Sequence, residues 1–589
     1  MNQIKTFLRL LLFWVVFAIP NLSAQTIAQT YECNSINKRF VHLPVKTGAP
    51  KTWVSVNIDG VWQTEFEIEL APENPDFYAT LEVGQWKGKK LSLNAESVTP
   101  GSKWISLTRM SDEMSDEHLV YQEKYRPQFH FSPRRGWTND PNGLVYYKGT
   151  YHLFFQHNPF GASWGNMTWG HAVSKDLFHW TEKPDAVLAD KNGVVFSGSA
   201  VVDTKNSSGL QKNPKRDKIG NIINPPLVAF YTSTGADRGK GESAQSMVYS
   251  LDEGKTWIKY PQNPVIPHII GGNRDPKVFW YEDRQNPSNP NSGHWVMALY
   301  LDGQDYALFS SKDLIHWIKF CDIKNLGCSE CPDMFELPVD GNKQNTHWVF
   351  WGGDGKYLIG TFNGKDFIKE SGPFTTKYGG NDYAAQSYSN IPATDGRRIQ
   401  FSWMQGGEYT NMPFNQQFTV PRELSLRSTP EGIRLFLNPV KEIERLRITK
   451  AIPFAATLQG VDKFIKVPNL KGELLDIELQ FDLKSLQTSE GSNVFTTEIF
   501  GQKITYDLDT RMIELVGVKA PLAPVKNRIK LRLVIDRTSM ELFANDGIIQ
   551  IAKCFLNKDK VPANMTISGK KDMANVTVKV YQLSSVWRK

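Results

Sequence analysis

The chain has 589 residues, 40% of them hydrophobic and 22% charged, with a formal charge of +7. That content supplies ordinary globular cores and excludes a disordered chain, and the length predicts three or four domains or one large β domain with appendages. The 68 Lys and Arg are scattered among 61 Asp and Glu, so the basic excess is a surface property and predicts no nucleic-acid partner.

The first 24 residues read as a signal peptide. Lys5 and Arg9 form a basic start, Leu10 to Ile19 an apolar stretch too short to span a bilayer, and Leu22-Ser23-Ala24 a small-residue cleavage site before Gln25. Cys33 lies too far beyond that site for a lipid anchor, and no later run is long enough to cross a membrane. The expectation is an exported protein, periplasmic or secreted, without a membrane anchor.

Residues 25–120 carry short strand-like runs: Phe40 to Val45, Trp53 to Val56, Phe66 to Leu70 and Leu91 to Leu93, with Asp59-Gly60 as a hairpin turn. They predict a small accessory β-sandwich, closed by an acidic linker from Asp112 to His118. Next comes Trp137-Thr-Asn-Asp-Pro-Asn-Gly143, rich in residues that favour turns, which places Asp140 at the mouth of a strand. Leu144 to Tyr147 and Tyr151 to Phe155, joined by Lys148-Gly149-Thr150, then form a hairpin.

A repeat follows. Ser174-Lys-Asp-Leu-Phe-His-Trp180 recurs as Ser311-Lys-Asp-Leu-Ile-His-Trp317, with Ser250 to Trp257 between them and a fainter copy from Phe362 to Phe367. The closing aromatics are 77, 60 and 50 residues apart, the spacing of four strands plus loops. That is one blade of a β-propeller, and residues 125–435 have room for five. Residues 436–449 read as an amphipathic linker helix, and residues 450–589 as a second β-sandwich with a hairpin turn at Asn545-Asp546-Gly547.

The 17 Trp, 20 Tyr and 33 Phe suit either sugar-binding clefts or aromatic strand packing. The five cysteines are not a disulfide framework. Cys328-Ser-Glu-Cys331 has metal or redox spacing but no second pair, which disfavours zinc and leaves a local disulfide open.

Three acids stand at blade starts: Asp140, Asp275 in Arg274-Asp275-Pro276, and Glu330 in Glu330-Cys331-Pro332. Carboxylates converging in one funnel are equipment for glycosidic cleavage, because one attacks or orients water while another carries a proton to the leaving oxygen. Repulsion among them is expected to keep one protonated, and Arg274 to keep Asp275 ionised.

These motifs, with Phe155-Gln-His-Asn-Pro159, Trp164-Gly-Asn-Met-Thr-Trp-Gly170, Phe196-Ser-Gly-Ser199, Asn381-Asp-Tyr-Ala-Ala-Gln386, Phe401-Ser-Trp403 and Pro421-Arg-Glu-Leu424, resemble glycoside hydrolase family 32, the β-fructofuranosidases. The resemblance implies an all-β fold, a five-bladed propeller followed by a β-sandwich, with the N-terminal β domain as an extra. It implies retention of configuration, with Asp140 as nucleophile, Glu330 as acid and base, and Asp275 as transition-state stabiliser. Trp137, Asn139, Gln156, Trp164, Phe196, Ser197, Arg274 and Trp403 would line a fructose pocket, and the usual Met of the first motif is Thr138 here. Exo-action on a fructan or sucrose is implied, without metal or organic cofactor, by a monomer or weak homo-oligomer. The N-terminal domain is expected either to bind polysaccharide or to brace the propeller, with bracing favoured. Rival readings are endo-action or fructosyl transfer, an inverting arabinan or xylan hydrolase, a sialidase suggested by the Ser250 to Trp257 box, and a non-catalytic fructan-binding propeller.

Overall fold

The computed structural model describes residues 26–114, 120–235, 238, 240–284, 292–407, 409–448, 450–468, 470–484, 493–556 and 563–587. The expected signal peptide and most of the acidic linker lie outside the described residues. No described helix is long and apolar enough to cross a membrane.

The N-terminal domain packs a four-stranded sheet on a three-stranded one. Its strand Thr52–Ile58 alternates strictly between buried and half-buried positions, as a sandwich with one wet face requires. Asp59 and Gly60 both adopt positive φ in the hairpin to Val61–Ile68, as a two-residue primed turn demands.

Five antiparallel blades form the propeller. Their inner strands are Gly136–Tyr147, Val194–Val202, Arg274–Tyr281, Asp333–Val339 and Tyr383–Ser387, in blades I to V. A single parallel bridge between Val339 and Leu426 joins blades IV and V into one eight-stranded sheet. Second strands such as Leu227–Thr234 are buried along their whole length because neighbouring blades cover both faces. Ring closure falls to Phe414–Asn415 of blade V, which pairs in parallel with Gly136 and Trp137 of blade I. The sequence repeat marks the turn between third and fourth strands. Ser174 Oγ bonds Asp176, Asp176 accepts the amides of Phe178 and His179, and Trp180 Nε1 donates to the Leu177 carbonyl. Ser311, Asp313 and Trp317 repeat the arrangement, and Ser250 with Asp252 a version of it, so the box that suggested a sialidase is a blade turn.

Two boundaries differ from expectation. The last blade strand continues to Pro439, and the linker helix is a single short 3-10 segment, Lys441–Leu446. Leu437 pairs with Leu424 across blade V, and that ladder outcompetes helix formation.

The C-terminal sandwich packs a sheet of six of its own strands, which Lys377–Tyr378 of the propeller segment extends to seven, on a six-stranded one. Its strand Arg528–Asp536 alternates and then becomes fully buried, since that end meets the propeller. There Asp536 accepts the backbone amides of Gln128, Phe129 and His130, while the His130 ring bonds Asp536 at 2.8 Å and Glu541 at 2.9 Å. Burial works against charge on His130, but the two acids prevail and lift its pKa to about 9.

Candidate active site

The stretch around Asp140 is not the turn its composition suggests. It is a strand with two irregularities, between Thr138 and Pro141 and between Asn142 and Val145. Asn139 and Asp140 form the first bulge, opposite the single residue Gln156, which turns Asp140 into the funnel, and Pro141, with no amide to give, resumes the pairing opposite Phe155. Asp275-Pro276 repeats the device: Arg274–Tyr281 slips register between Arg274 and Lys277, and Asp275 sits at a φ of 65°. Glu330 (54°) and Cys331 (35°) also have positive φ. Three such non-glycine residues together are a costly backbone, of the kind retained where a side chain must be aimed.

The three acids meet. The Cys331 thiol lies 3.4 Å from Asp275 Oδ2 and 3.7 Å from Asp140 Oδ2, and the Cys331 amide donates to Asp275 at 3.1 Å. Glu330, the adjoining residue, accepts from Arg274 Nη2 at 2.6 Å and from Tyr383 OH at 2.7 Å. Asp140 is held at both oxygens, by Ser197 Oγ at 2.5 Å and Asn139 Nδ2 at 3.1 Å. Burial raises its pKa, the Glu330 charge adds to the rise, and the Ser197 and Asn139 bonds oppose it.

Asp275 departs from expectation. Burial lifts it to about 7 despite Arg274, and the charges of Asp140 and Glu330 add to that. The reason is geometric: Arg274 commits Nη2 to Glu330 and reaches Asp275 only through Nε at 3.8 Å. Tyr300 lies under the guanidinium, 4.6 Å from ring to carbon.

The other residues expected in the pocket are held as follows. Trp137 meets Trp403 edge-on at 6.0 Å, its indole donates to Asn139, and Trp403 Nε1 donates to Gln416, which fixes the two rings. Gln156 is buried, and its amide holds the Val195 carbonyl at 3.0 Å, supporting the strand that carries Phe196 and Ser197. Gly198 in that strand has no alternative, because a Cβ there would lie 1.9 Å from the Phe230 carbonyl oxygen. Trp164 stands at the rim, 57% exposed and 6.3 Å from the Phe196 ring. A cavity of about 1190 Å³ elsewhere, between the N-terminal domain and blades I and II, contains none of the three acids.

Two contributors escaped the sequence reading. Tyr383 lies within the motif Asn381 to Gln386, but nothing in the sequence tells that its hydroxyl reaches Glu330. Gln386 bonds both the Leu144 amide and the Gly198 carbonyl, tying the strands of Asp140 and Ser197 together. Cys331, read as half of a Cys-x-x-Cys pair, instead faces the acids. Both it and Cys328 are free thiols, Cys328 being buried against Tyr306.

A propeller that gathers a buried aspartate, a half-buried aspartate and a glutamate in one place defines a carboxylate glycoside hydrolase. Comparisons agree. The model for the glycosyl hydrolases family 32 N-terminal domain matches residues 130–439, and that for the family 32 C terminal matches 442–582. The chain is 39% identical over 483 residues to a levanase of Bacillus subtilis (strain 168), covering 75% of this chain and 68% of the levanase. It is 31% identical over 539 residues to an extracellular exo-inulinase of Aspergillus awamori, covering 79% of this chain and 96% of that enzyme. The crystal structure of an Aspergillus awamori exo-inulinase superposes with a TM-score of 0.68 at 28% identity, over 79% of this chain and 100% of that one. The chain therefore belongs to glycoside hydrolase family 32. This membership removes the arabinan or xylan hydrolase and sialidase readings.

Proposed function

We propose that this protein is an exported, exo-acting, retaining β-fructosidase that releases terminal β-D-fructose from levan or inulin and from sucrose. The observation that carries it is the meeting of Asp140, Asp275 and Glu330 around residue 331, on three different blades. The levanase and exo-inulinase relatives support the fructan substrate, and the extracellular relative supports export through residues 1–24. The fixed Trp137–Trp403 pair supports a pocket that admits one chain end.

In this mechanism Asp140 attacks the anomeric carbon of the terminal fructosyl unit. Its two bonds, from Ser197 and Asn139, aim the oxygens and favour the ionised form against burial. Glu330 gives its proton to the departing oxygen as the glycosidic bond breaks, leaving a fructosyl ester on Asp140. Glu330 then takes a proton from water as that water attacks the ester, and fructose leaves with its configuration retained. Asp275, with a pKa near neutrality, bonds the fructose hydroxyls as the ring gains positive charge. Arg274 and Tyr383 hold Glu330 in place between the two steps.

The test is an early product profile on levan, inulin and sucrose, with NMR of the first-formed anomer. Fructose in the retained anomer is expected as the early low-molecular-weight product from levan and inulin, and fructose with an equal amount of glucose from sucrose. A ladder of oligosaccharides overturns exo-action, and an inverted anomer overturns the ester mechanism.

A further inference from the structure

The N-terminal domain does more than lean on the propeller. Its hairpin of Thr52–Ile58 and Val61–Ile68 meets the loop between the second and third strands of blade I. Asn166 exchanges two bonds with the Glu67 backbone, at 2.8 and 2.7 Å. Phe160 of the propeller stacks on Phe66 with centroids 3.6 Å apart and joins the core of the N-terminal domain. Arg238 of blade II lies over Trp53 at 4.5 Å and pairs with Glu65 at 3.2 Å. These contacts join the N-terminal domain to blades I and II.

Between them they leave a cleft of about 280 Å³, lined from the N-terminal side by Trp53, Trp62 and Glu65 and from the propeller side by Trp164, Phe196 and Arg238. Its volume is at the low end of the ~300–1,000 Å³ typical of small-ligand sites, enough for a short piece of a chain. Trp62 and Trp164 are 41% and 57% exposed. Large aromatic surface left open on a rigid frame usually marks a contact site. The charged residues that line the cleft are each paired, Arg238 with Glu65, Glu67 with Lys51 and Asp190 with Lys259, so it favours a neutral polyhydroxylated ligand over an ion. The cleft also borders the strand that reaches the acids. Phe196 lines it, the next residue is Ser197, and Ser197 bonds Asp140. The blade I loop holding Trp164 stands at the funnel mouth, because the inner strand starts there and the antiparallel second strand ends there.

We propose that this cleft is a chain-holding subsite. The N-terminal domain supplies Trp62 as a platform for fructosyl units on the leaving-group side, beyond the ring bound at Asp140. The idea rests on the fructan reading above. A chain whose end reaches Asp140 must leave through the mouth, past Trp164, and there the indole faces of Trp62 and Trp164 meet the C–H faces of its sugars. Long fructans gain from the contact and sucrose is too short to reach it.

The experiment compares kcat/KM on long-chain levan or inulin with kcat/KM on sucrose, in the full chain and in Trp62→Ala. The ratio of long-chain to sucrose kcat/KM is expected to fall about tenfold, the order of one aromatic contact, through KM rather than kcat. Trp62→Phe should recover most of it. Fructan affinity of the Glu330→Gln protein, measured calorimetrically, should weaken in the Glu330→Gln/Trp62→Ala double variant. Sucrose turnover by Trp62→Ala reports that the protein is folded. An unchanged ratio with unchanged fructan affinity overturns the subsite and leaves the domain a brace. Absence of fructose from every fructoside tested with the unaltered chain overturns the functional reading itself, and the subsite with it.

Discussion

Replacing Asp275 with Asn separates two opposed views of the funnel. If Arg274 governs Asp275, the acid is ionised at all working pH and its loss removes a favourable ion pair. If burial governs, as a pKa near 7 indicates, the folded protein bears a cost whenever that carboxyl ionises. The folded value is raised above the ordinary 3.8, so the associated stability is intact below about pH 4 and is lost as pH climbs through 7. A rise of that size corresponds to roughly 4 kcal/mol at the limit, at about 1.4 kcal/mol per unit. Asn cannot ionise, and its carbonyl can still accept the Cys331 amide now bonded at 3.1 Å. Asp275→Asn should therefore melt close to the parent at pH 4.5 and several degrees above it at pH 8, with the gap opening in between. The same variant should lose most fructose release, because a transition-state partner has gone. Calorimetric melts across pH 4.5 to 8.5, run beside the activity assay, decide it. A gap independent of pH, or a variant less stable than the parent at pH 8, would refute dominance by burial and restore Arg274 as the controlling charge.

Asp140→Ala and Glu330→Gln should each lower fructose release by about a thousandfold or more while leaving the melting profile recognisable, and near-normal turnover in either would return the site to a binding role. His130 charges inside the junction between propeller and sandwich with a pKa of about 9, so its contribution is complete below about pH 6.5 and is lost as pH rises through 9. His130→Gln should be less stable at pH 7 by up to roughly 3 kcal/mol and should flatten the decline in melting temperature between pH 7 and 9.5; an unaltered decline in the variant counts against a charged His130. Thr138 is fully buried and its hydroxyl has no partner among the described residues. Thr138→Val keeps the shape and removes the unpaired group, so it should stabilise by about 1 kcal/mol in denaturant titrations, and a loss of stability would show that the hydroxyl is satisfied in solution.

Local chemistry made the propeller legible. The Ser-x-Asp…Trp turn forms its bonds within seven residues, so its signature survives in the sequence and recurs in the outer turns of blades I and III, with variants in II and IV. Blade V has no such turn in the sequence and shows itself only through the length left over. The hairpin at Asn545-Asp546 is legible for the same reason, as both residues take positive φ. What escaped depended on distant partners. Composition around Asp140 signals a turn, but pairing with Thr150–Asn158 stretches it into a bulged strand. Arg274 beside Asp275 in sequence suggests a pair, yet its better partner, Glu330, lies 56 residues away. Ile27–Cys33 and Phe77–Glu82 of the first domain were missed: the first is an exposed sheet edge, and the second alternates in only six residues.

The buried charges under the funnel follow from where the acids stand. Each sits near the start of a different inner strand, so a loosening between blades would separate them, and the positive-φ backbone at Asp275, Glu330 and Cys331 adds about 1–3 kcal/mol of strain per residue. Lys277 of blade III answers this directly, with 3.2 Å to Asp333 of blade IV and 2.8 Å to the Ser387 carbonyl of blade V. Asp382, between Lys377 and Arg422, fastens the base of the segment that carries Tyr383. Such buried pairs are poor sources of net stability, since desolvation offsets most of their attraction. They are strong on register, because breaking one leaves an unpaired charge in the core. A propeller of apolar contacts alone could let its blades slide by fractions of an ångström without much penalty. These pairs make such sliding costly in the two places, blades III–IV and V, from which Asp275, Glu330 and its Tyr383 partner are aimed.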